Sequence, residues 1–176
     1  EICRKNKMET LEAIRTRRSV RAYTEQEISD RDLEDLLKAA MQAPSAKNSQ
    51  PWHFIIIKDK KILNEIPKFH KTAPMIANAP VAITICADLS LENHPDCWML
   101  DCSAAAENLL LAAHDKGLGA VWTANYPIKE VQEGMKKLLN LPDNIVPHCV
   151  IPIGYPAHPY NPKGYYKKER VHYDKW

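Results

Sequence analysis

Short apolar runs separated by amphipathic stretches are the feature that most constrains the fold of this chain. Three such runs, Phe54–Ile57, Val81–Cys86 and Val146–Ile153, are rich in β-branched residues and bounded by polar or turn-forming residues. Their near-continuous apolar character predicts buried strands, with the first extending over His53–Lys58. A fourth, short strand is predicted at Ala120–Trp122, after the stop signal Gly117-Leu118-Gly119.

Helical periodicity fills the intervals between these strands. The longest candidate, Cys97–Lys116, is apolar around much of its girth, which predicts a central helix or one shared with a second subunit. Two of the other helices are predicted at Thr10–Arg17 and Val131–Leu139. A third begins at an N-cap at Ser29 and is ended by Pro44, and a polar helix follows the first strand to about Phe69. This interleaving predicts one α+β or α/β sandwich with a central sheet.

Composition excludes several classes of protein. The chain has 176 residues, 45% of them hydrophobic and 26% charged, which suits one soluble domain with a sizeable core. A net charge of +2 gives no support for general nucleic-acid or membrane-surface binding, and we expect neither partner. Residues 1–7 are polar and lack an apolar signal-peptide core, which predicts a cytoplasmic protein. We expect residues 8–176 to form the single domain and residues 1–7 an N-terminal extension.

Common phosphate-binding and catalytic motifs are missing from the sequence. None of the five glycines forms G-x-G-x-x-G or G-x-x-x-x-G-K-[ST], and no H-x-x-x-H, carboxylate cluster or G-x-S-x-G is present. No metal site is expected. The five cysteines form no C-x-x-C pair and are expected to be reduced thiols: Cys3, Cys86, Cys97, Cys102 and Cys149. Any anion must therefore be bound by side chains.

Two polar segments predict where such an anion binds. Arg17-Arg18-Ser19-Val20-Arg21 places three guanidinium groups and a hydroxyl within five residues, a donor set that suits a phosphate or an electron-rich ring. Pro44–Trp52 is a polar turn with amide side chains and an indole, where a planar polar ligand can be held. The arginines also suit a solvated helix end, and Trp52 also suits core packing.

The order of these motifs resembles the nitroreductase family of FMN-dependent flavoproteins. The resemblance covers nearly the whole chain from Met8 and is carried by Arg17-Arg18-Ser19-x-Arg21, Pro44-Ser45-x-x-Asn48-x-Gln50-Pro51-Trp52, Gly117-Leu118-Gly119-Ala120-Val121-Trp122 and Lys168-x-Arg170. It implies an α+β three-layer sandwich with a central mixed sheet, assembled as an intertwined homodimer with FMN at the subunit interface.

The resemblance also assigns site residues. The FMN phosphate and the polar edge of the ring would be held by Arg17, Arg18, Ser19 and Arg21, with the phosphate site completed by Lys168 and Arg170. The flavin would be reached from the other subunit by Pro44, Ser45, Ala46 and Asn48, and Gln50 is also expected to bind the cofactor. One face of the ring would be lined by Trp122, Thr123 and Ala124. Family members often carry Pro-x-Glu-Gly here, so the contact near the reactive ring nitrogen is expected from backbone amides. His70 and Lys71 are nearby candidates for a mid-chain contact, whereas Asp101 and Glu107 are expected to cap or pair with neighbours.

The implied function is an FMN-dependent NAD(P)H oxidoreductase. NADH or NADPH would donate electrons, and a nitroaromatic, quinone or similar small acceptor would take them in a ping-pong cycle. Since the flavin carries this chemistry, no catalytic side chain is assigned. Two alternatives remain: a reductive dehalogenase-like flavin enzyme, which usually adds a lid that this short chain does not show, and a non-catalytic flavin-binding protein. An RNA-binding module is weakly supported, because aromatic content is 7% and no RNP-like motif is present.

Overall fold

A five-stranded sheet forms the centre of the molecule in this computed structural model, which describes residues 8–162 and 164–176. The strands are β1 (Trp52–Ile57), β2 (Val81–Asp88), β3 (Gly119–Ala120), β4 (Thr123–Ala124) and β5 (Ile145–Gly154). They follow the order β1-β2-β5-β3, and β4 also pairs with β5. These pairings are antiparallel, and the parallel part of the predicted mixed sheet is the isolated bridge between Ser19 and Ala120.

The described residues also form five α-helices, which agree with the predicted ones to within a few residues. They are α1 (Thr10–Thr16), α2 (Asp30–Ala40), α3 (Lys60–Phe69), α4 (Trp98–Asp115) and α5 (Lys129–Leu139). Ser29 caps α2 as predicted, since its hydroxyl oxygen accepts the Asp32 N–H at 3.0 Å. The end of α2 comes at Ala40, before Pro44 could interrupt it.

Two apolar clusters lie on opposite faces of the sheet. On one face, Leu33 and Leu36 of α2 and Leu109 of α4 pack with Ile83 and Ile85. On the other face, residues from α3 and α5 cover the sheet, namely Leu63, Ile66, Val131 and Met135, together with Ala82 and Val150. Because helices cover both faces, β2 is buried on both sides from Val81 to Ala87 rather than on alternate residues. This confirms the predicted three-layer sandwich.

The burial predicted for the first strand is wrong. β1 is an edge strand that pairs with β2, its one strand neighbour among the described residues. Trp52 and Ile57 are buried at its two ends, but His53 is exposed and Ile56 keeps 40% of its surface accessible. An apolar run indicates a strand without showing whether a second strand covers its other edge. Of the two roles considered for Trp52, holding a planar ligand or packing in the core, the structure shows core packing.

The central position predicted for the long helix is confirmed. α4 packs against α1, α2 and four of the five strands. Leu100 on this helix is nevertheless 70% exposed. After β5 the chain runs back along the segment that follows α1, where the Thr24 N–H donates to the Tyr155 carbonyl and the Ala157 N–H donates to the Ala22 carbonyl. Over the described residues, no helix combines the length and hydropathy required to cross a bilayer.

Candidate functional site

The arginine segment (residues 17–21) follows α1 in extended form and lies beside β3. Ser19 makes the parallel bridge to Ala120, and the Val20 N–H donates to the Ala120 carbonyl at 3.0 Å. A Cβ atom on Gly119 would lie 2.6 Å from the Val20 Cγ1 atom, so the close approach requires glycine. The Gly-Leu-Gly motif and the arginine motif are therefore parts of one packed unit.

Two arginines of this segment have specific partners. Arg17 forms an ion pair with Glu107 of α4, with 3.2 Å between Nε and Oε1, and both side chains are partly exposed. The guanidinium carbon of Arg18 lies 5.3 Å from the centre of the Tyr165 ring, in cation–π contact with the C-terminal tail. Both contacts fix positive charge at this edge of the molecule.

Arg21 is the exposed arginine of the segment. Its Nη1 atom lies 3.5 Å from the Ser19 carbonyl oxygen, a long contact that leaves the guanidinium group available to a ligand. The side chain borders a cavity of about 990 Å³. Charges of both signs line this cavity: Lys58, Lys60, Glu25 and Glu27.

The C-terminal tail is attached to α1 through His114. Thr16 Oγ1 donates to the Glu12 carbonyl at 2.7 Å, so it accepts from His114 Nε2 at 2.7 Å. The Tyr160 hydroxyl then donates to Nδ1 at 2.9 Å. Burial lowers the pKa of His114 and the charge of Arg17 acts in the same direction, which favours the neutral ring that this arrangement requires.

The last two predicted phosphate ligands lie further along the tail. Lys168 and Arg170 belong to an exposed turn of 3-10 helix, Lys168–Arg170. Within residues 8–162 and 164–176, neither side chain takes part in a hydrogen bond or an ion pair. Over the described residues, neither type of bond joins these two side chains to the arginine segment, and their role stays a prediction.

The amide loop (residues 45–50) has an inner and an outer face. Ser45, Ala46 and Ser49 are half-buried, whereas Lys47, Asn48 and Gln50 are exposed. On the inner face, the Ala46 N–H and the Ser49 hydroxyl donate to the Asp101 carboxylate of α4. Glu107 of the same helix pairs with Arg17, so both acids bond to neighbouring groups as expected. Pro44 precedes the loop and is exposed.

The arginine segment and the amide loop lie at opposite corners of the sheet. The loop leads into Trp52, which is paired with Ala87 on edge strand β1. The arginine segment lies beside Ala120, whose partner Ile153 is also paired with Val81 at the other end of β2. At ~3.4 Å per residue and ~4.8 Å between strands, the corners are roughly 25 Å apart. One chain does not bring the two motifs together.

The third predicted group lies close to the arginine segment. Thr123 and Ala124 form β4, which pairs with Val150 and Cys149 of β5 and begins three residues after the Ser19–Ala120 bridge. Trp122 is half-buried, and its ring meets the His148 ring edge to face at 5.3 Å. These residues and the arginine segment therefore belong to one edge of the fold.

Buried polar side chains lie near β4: His148 and Asn125 are the part of the site that sequence reasoning missed, whereas His70 is the mid-chain candidate that it named. His148 is 5% exposed with Nε2 3.2 Å from Ser103 Oγ, and burial lowers its pKa to about 4. Burial also lowers the pKa of His70, partly opposed by the Ala124 carbonyl. Asn125 is fully buried, and its amide group has no hydrogen-bond partner in the described part of the chain. Only proximity to Trp122–Ala124 in the sequence could have indicated Asn125; the histidines show no motif spacing.

Comparison with known proteins identifies the family. The sequence profile of the family described as the nitroreductase family matches residues 14–73 and 67–155. This chain belongs to the nitroreductase family. The predicted family and enzyme class, an oxidoreductase of the nitroreductase type, are confirmed.

Nitroreductase-family relatives match over almost the full chain. A Methanothermobacter thermautotrophicus protein named for NADH dehydrogenase and NAD(P)H nitroreductase activity is 45% identical over 171 residues, 97% of this chain and 90% of that protein. A crystal structure of a Parabacteroides distasonis protein of the same name has a TM-score of 0.92 and 42% identity, covering 95% of this chain and 98% of the other. The predicted fold is thereby confirmed.

Two more distant nitroreductase-family matches name a ligand or a substrate. The crystal structure of a Desulfovibrio desulfuricans nitroreductase in complex with FMN has a TM-score of 0.83 and 28% identity, covering 96% and 98% of the two chains. A Thermotoga neapolitana protein named iodotyrosine deiodinase is 28% identical over 181 residues, 88% of this chain and 91% of that protein. The FMN of the first agrees with the predicted cofactor.

Proposed function

We propose that this chain is an FMN-dependent oxidoreductase that takes electrons from NADH or NADPH and delivers them to a small acceptor. Nitroaromatics and quinones are the proposed acceptors, and the cytoplasm is the proposed location. The observation that carries the proposal is the ordered arginine segment, which holds three guanidinium groups beside the β3–β4 edge. The NAD(P)H nitroreductase named among the relatives and the FMN complex support it.

The residues present fit an anionic flavin nucleotide. Guanidinium groups remain charged and bind phosphate oxygens in pairs. Arg21 is exposed, and the Arg17–Glu107 pair is exposed enough to be weak, so both arginines can turn toward a ligand. When bound, FMN supplies the hydride and electron transfer that no side chain here offers. Positive charge at the polar edge of its ring would stabilise the negative charge that develops there.

We assign the site to two copies of the chain. One copy would supply Arg17, Arg18, Ser19, Arg21, Trp122, Thr123, Ala124, Lys168 and Arg170. The other copy would supply Pro44, Ser45, Ala46, Asn48 and Gln50. The roughly 25 Å between the sheet corners at Trp52 and Ala120, beside which the two motifs lie, supports this division. Exposed apolar side chains on α1 and α4 support a homodimer as well: Leu11 at 62%, Ile14 at 55% and Leu100 at 70%.

The protein side chains would bind and orient rather than react. Burial raises the pKa of Cys86 and of Cys102 to about 12, and it also raises the pKa of Cys149 well above its ordinary value. These thiols therefore hold their protons at neutral pH and are poor nucleophiles. The neutral His114 ring would keep the tail against the turn that presents Arg17 and Arg18.

The purified protein tests this function directly. We expect a yellow protein with flavin absorbance that releases FMN on denaturation, and oxidation of NADH or NADPH when a nitroaromatic or quinone is added. Plots at several acceptor concentrations should give parallel lines, since the donor leaves before the acceptor binds. A protein that stays colourless after incubation with FMN would contradict the proposal. Bound FMN without any oxidation of nicotinamide would favour the non-catalytic flavin-binding alternative.

Replacing the cysteines one at a time is expected to leave turnover largely intact. Cys86→Ser, Cys102→Ser and Cys149→Ser place a hydroxyl in the core and should cost stability of order 1 kcal/mol or more, without loss of rate per bound FMN. Cys97, whose Sγ lies 3.4 Å from His94 Nδ1, is half-buried and provides the comparison. Rates per FMN measured by NADH oxidation check this. Loss of turnover with FMN and fold retained would make that thiol catalytic.

The iodotyrosine deiodinase among the relatives favours a second candidate, reductive removal of a halide from an aromatic substrate. Incubation of the holoprotein with iodotyrosine and a reductant, with iodide measured, separates the two candidates. We expect nitroaromatic or quinone reduction to be much faster than iodide release.

A further inference from the structure

Asp101 is a buried carboxylate that the proposed binding residues do not include. It lies in the first turn of α4 and is 5% exposed. Its Oδ1 atom accepts the Ala46 N–H at 2.9 Å, and its Oδ2 atom accepts the Ser49 hydroxyl at 3.1 Å. Over the described residues it forms no ion pair with a basic side chain. A buried carboxylate is costly unless hydrogen bonds satisfy it, so Asp101 depends on the amide loop for its donors.

The amide loop in turn depends on anchors. Lys47, Asn48 and Gln50 adopt left-handed backbone conformations, with φ of 49°, 55° and 46°. This region is unfavourable for residues other than glycine, and least so for asparagine, so the conformation persists only where surrounding contacts impose it. Ser45 Oγ accepts the Gln50 N–H at 3.0 Å as a further internal bond. The two bonds to Asp101 tie the same loop to α4 from outside.

The anchoring fixes the outward face of the loop. Because Asp101 holds Ala46 and Ser49 on the inner face, Asn48 and Gln50 between and beside them are turned outward. The Gln50 Nε2 group donates to Asn48 Oδ1 at 3.1 Å, which joins the two exposed amides into one rigid surface. The loop therefore presents a preformed pair of amides rather than a mobile one.

We infer that Asp101 is a positioning residue that sets Asn48 and Gln50 for the flavin held by a second copy of the chain. The inference rests on the proposed function, because it requires that the amide loop contact FMN. It assigns Asp101 no acid or base role. The carboxylate acts through the loop. Its removal should therefore lower cofactor affinity and speed hydrogen exchange of the loop amides, in addition to any effect on the catalytic rate.

Two substitutions of similar size test the inference. Asp101→Leu removes both bonds. Asp101→Asn keeps an acceptor for the Ala46 N–H and can donate to Ser49 Oγ. We expect Asp101→Leu to raise the FMN dissociation constant about 10-fold or more, to speed hydrogen exchange at residues 46–50 and to shift the visible flavin spectrum. Asp101→Asn should keep the FMN dissociation constant and the exchange rates within about 3-fold of those of the unmodified protein. Its visible flavin spectrum should be unchanged.

Controls separate the inference from the proposed function. Glu133→Gln changes an exposed carboxylate of α5, which packs on the opposite face of the sheet from α4, and should alter none of the readouts. If Asp101→Leu does not fold, Ser49→Ala removes one of the two bonds without touching α4 and should give a smaller rise. Unchanged FMN affinity in a folded Asp101→Leu or Ser49→Ala protein, with or without faster exchange, would overturn the inference and leave the proposed function standing. Failure of the unmodified protein to bind FMN would overturn both.

Discussion

Replacing Arg21 with alanine is expected to raise the dissociation constant of FMN about 10- to 150-fold, or about 1.5–3 kcal/mol. The guanidinium group is exposed at a cavity, and its contact with the Ser19 carbonyl is long at 3.5 Å. A ligand can therefore bind Arg21 without breaking a strong internal bond. Almost all of the free energy of the new charge-assisted hydrogen bond then contributes to binding. Titration of flavin-free protein with FMN, followed by flavin fluorescence, measures the change.

Two variants define what the Arg21 experiment reports. Arg21→Lys keeps the charge and loses the planar fork, so it should weaken FMN binding less than alanine does. Arg31→Ala removes an exposed arginine of α2 that is not among the residues lining the Arg21 cavity, and should leave the affinity unchanged. If Arg21→Ala protein retained stoichiometric FMN with unchanged affinity after dialysis, the assignment of this arginine would be wrong.

Mild acid is expected to destabilise the protein through His148. Burial lowers the pKa of this histidine to about 4, whereas an unfolded histidine titrates near 6.5. Between these values the unfolded chain binds more protons than the folded one, so the free energy of unfolding falls as pH falls. The full effect is about 3 kcal/mol, with about 2 kcal/mol of it lost between pH 7 and pH 5. His70 and His114, whose pKa values burial also lowers, act in the same direction.

Urea unfolding at pH 7 and pH 5 measures this loss. His148→Gln should be less stable at pH 7, because it disturbs the Trp98 and Trp122 contacts, but should show a shallower pH dependence. His172→Gln, at an exposed position in the tail, should keep the full dependence. An equal loss between pH 7 and pH 5 in His148→Gln and the unmodified protein would show that another group is responsible.

Local sequence patterns predict those structural features that are determined by residues a few positions apart. The helix cap at Ser29 and the apolar run of β2 were predicted, because capping and strand burial leave a signature within a few positions. The arginine segment and the amide loop were recognised from motif order. The edge position of β1 was not, because a run such as Phe54–Ile57 says nothing about which strands flank it.

The supporting residues of the candidate site were beyond local patterns. Asp101 meets Ala46 across 55 positions of sequence, and Ser103 meets His148 across 45. A single acid or histidine on an apolar stretch has many ordinary explanations, and only three-dimensional packing selects one. The sequence pattern also did not indicate that the two predicted motifs would lie at opposite corners of one sheet.

The placement of the two motifs at opposite corners has a genetic consequence. In the proposed dimer, a mixed pair of one Arg21→Ala chain and one Asn48→Gly chain would carry both defects at one site and neither at the other. Glycine at position 48 removes the amide while keeping the left-handed backbone. Co-expression with two affinity tags should therefore yield mixed dimers with unmodified affinity at half of their sites, although each variant alone binds FMN weakly. Such complementation between two defective copies requires that each flavin be shared by both chains.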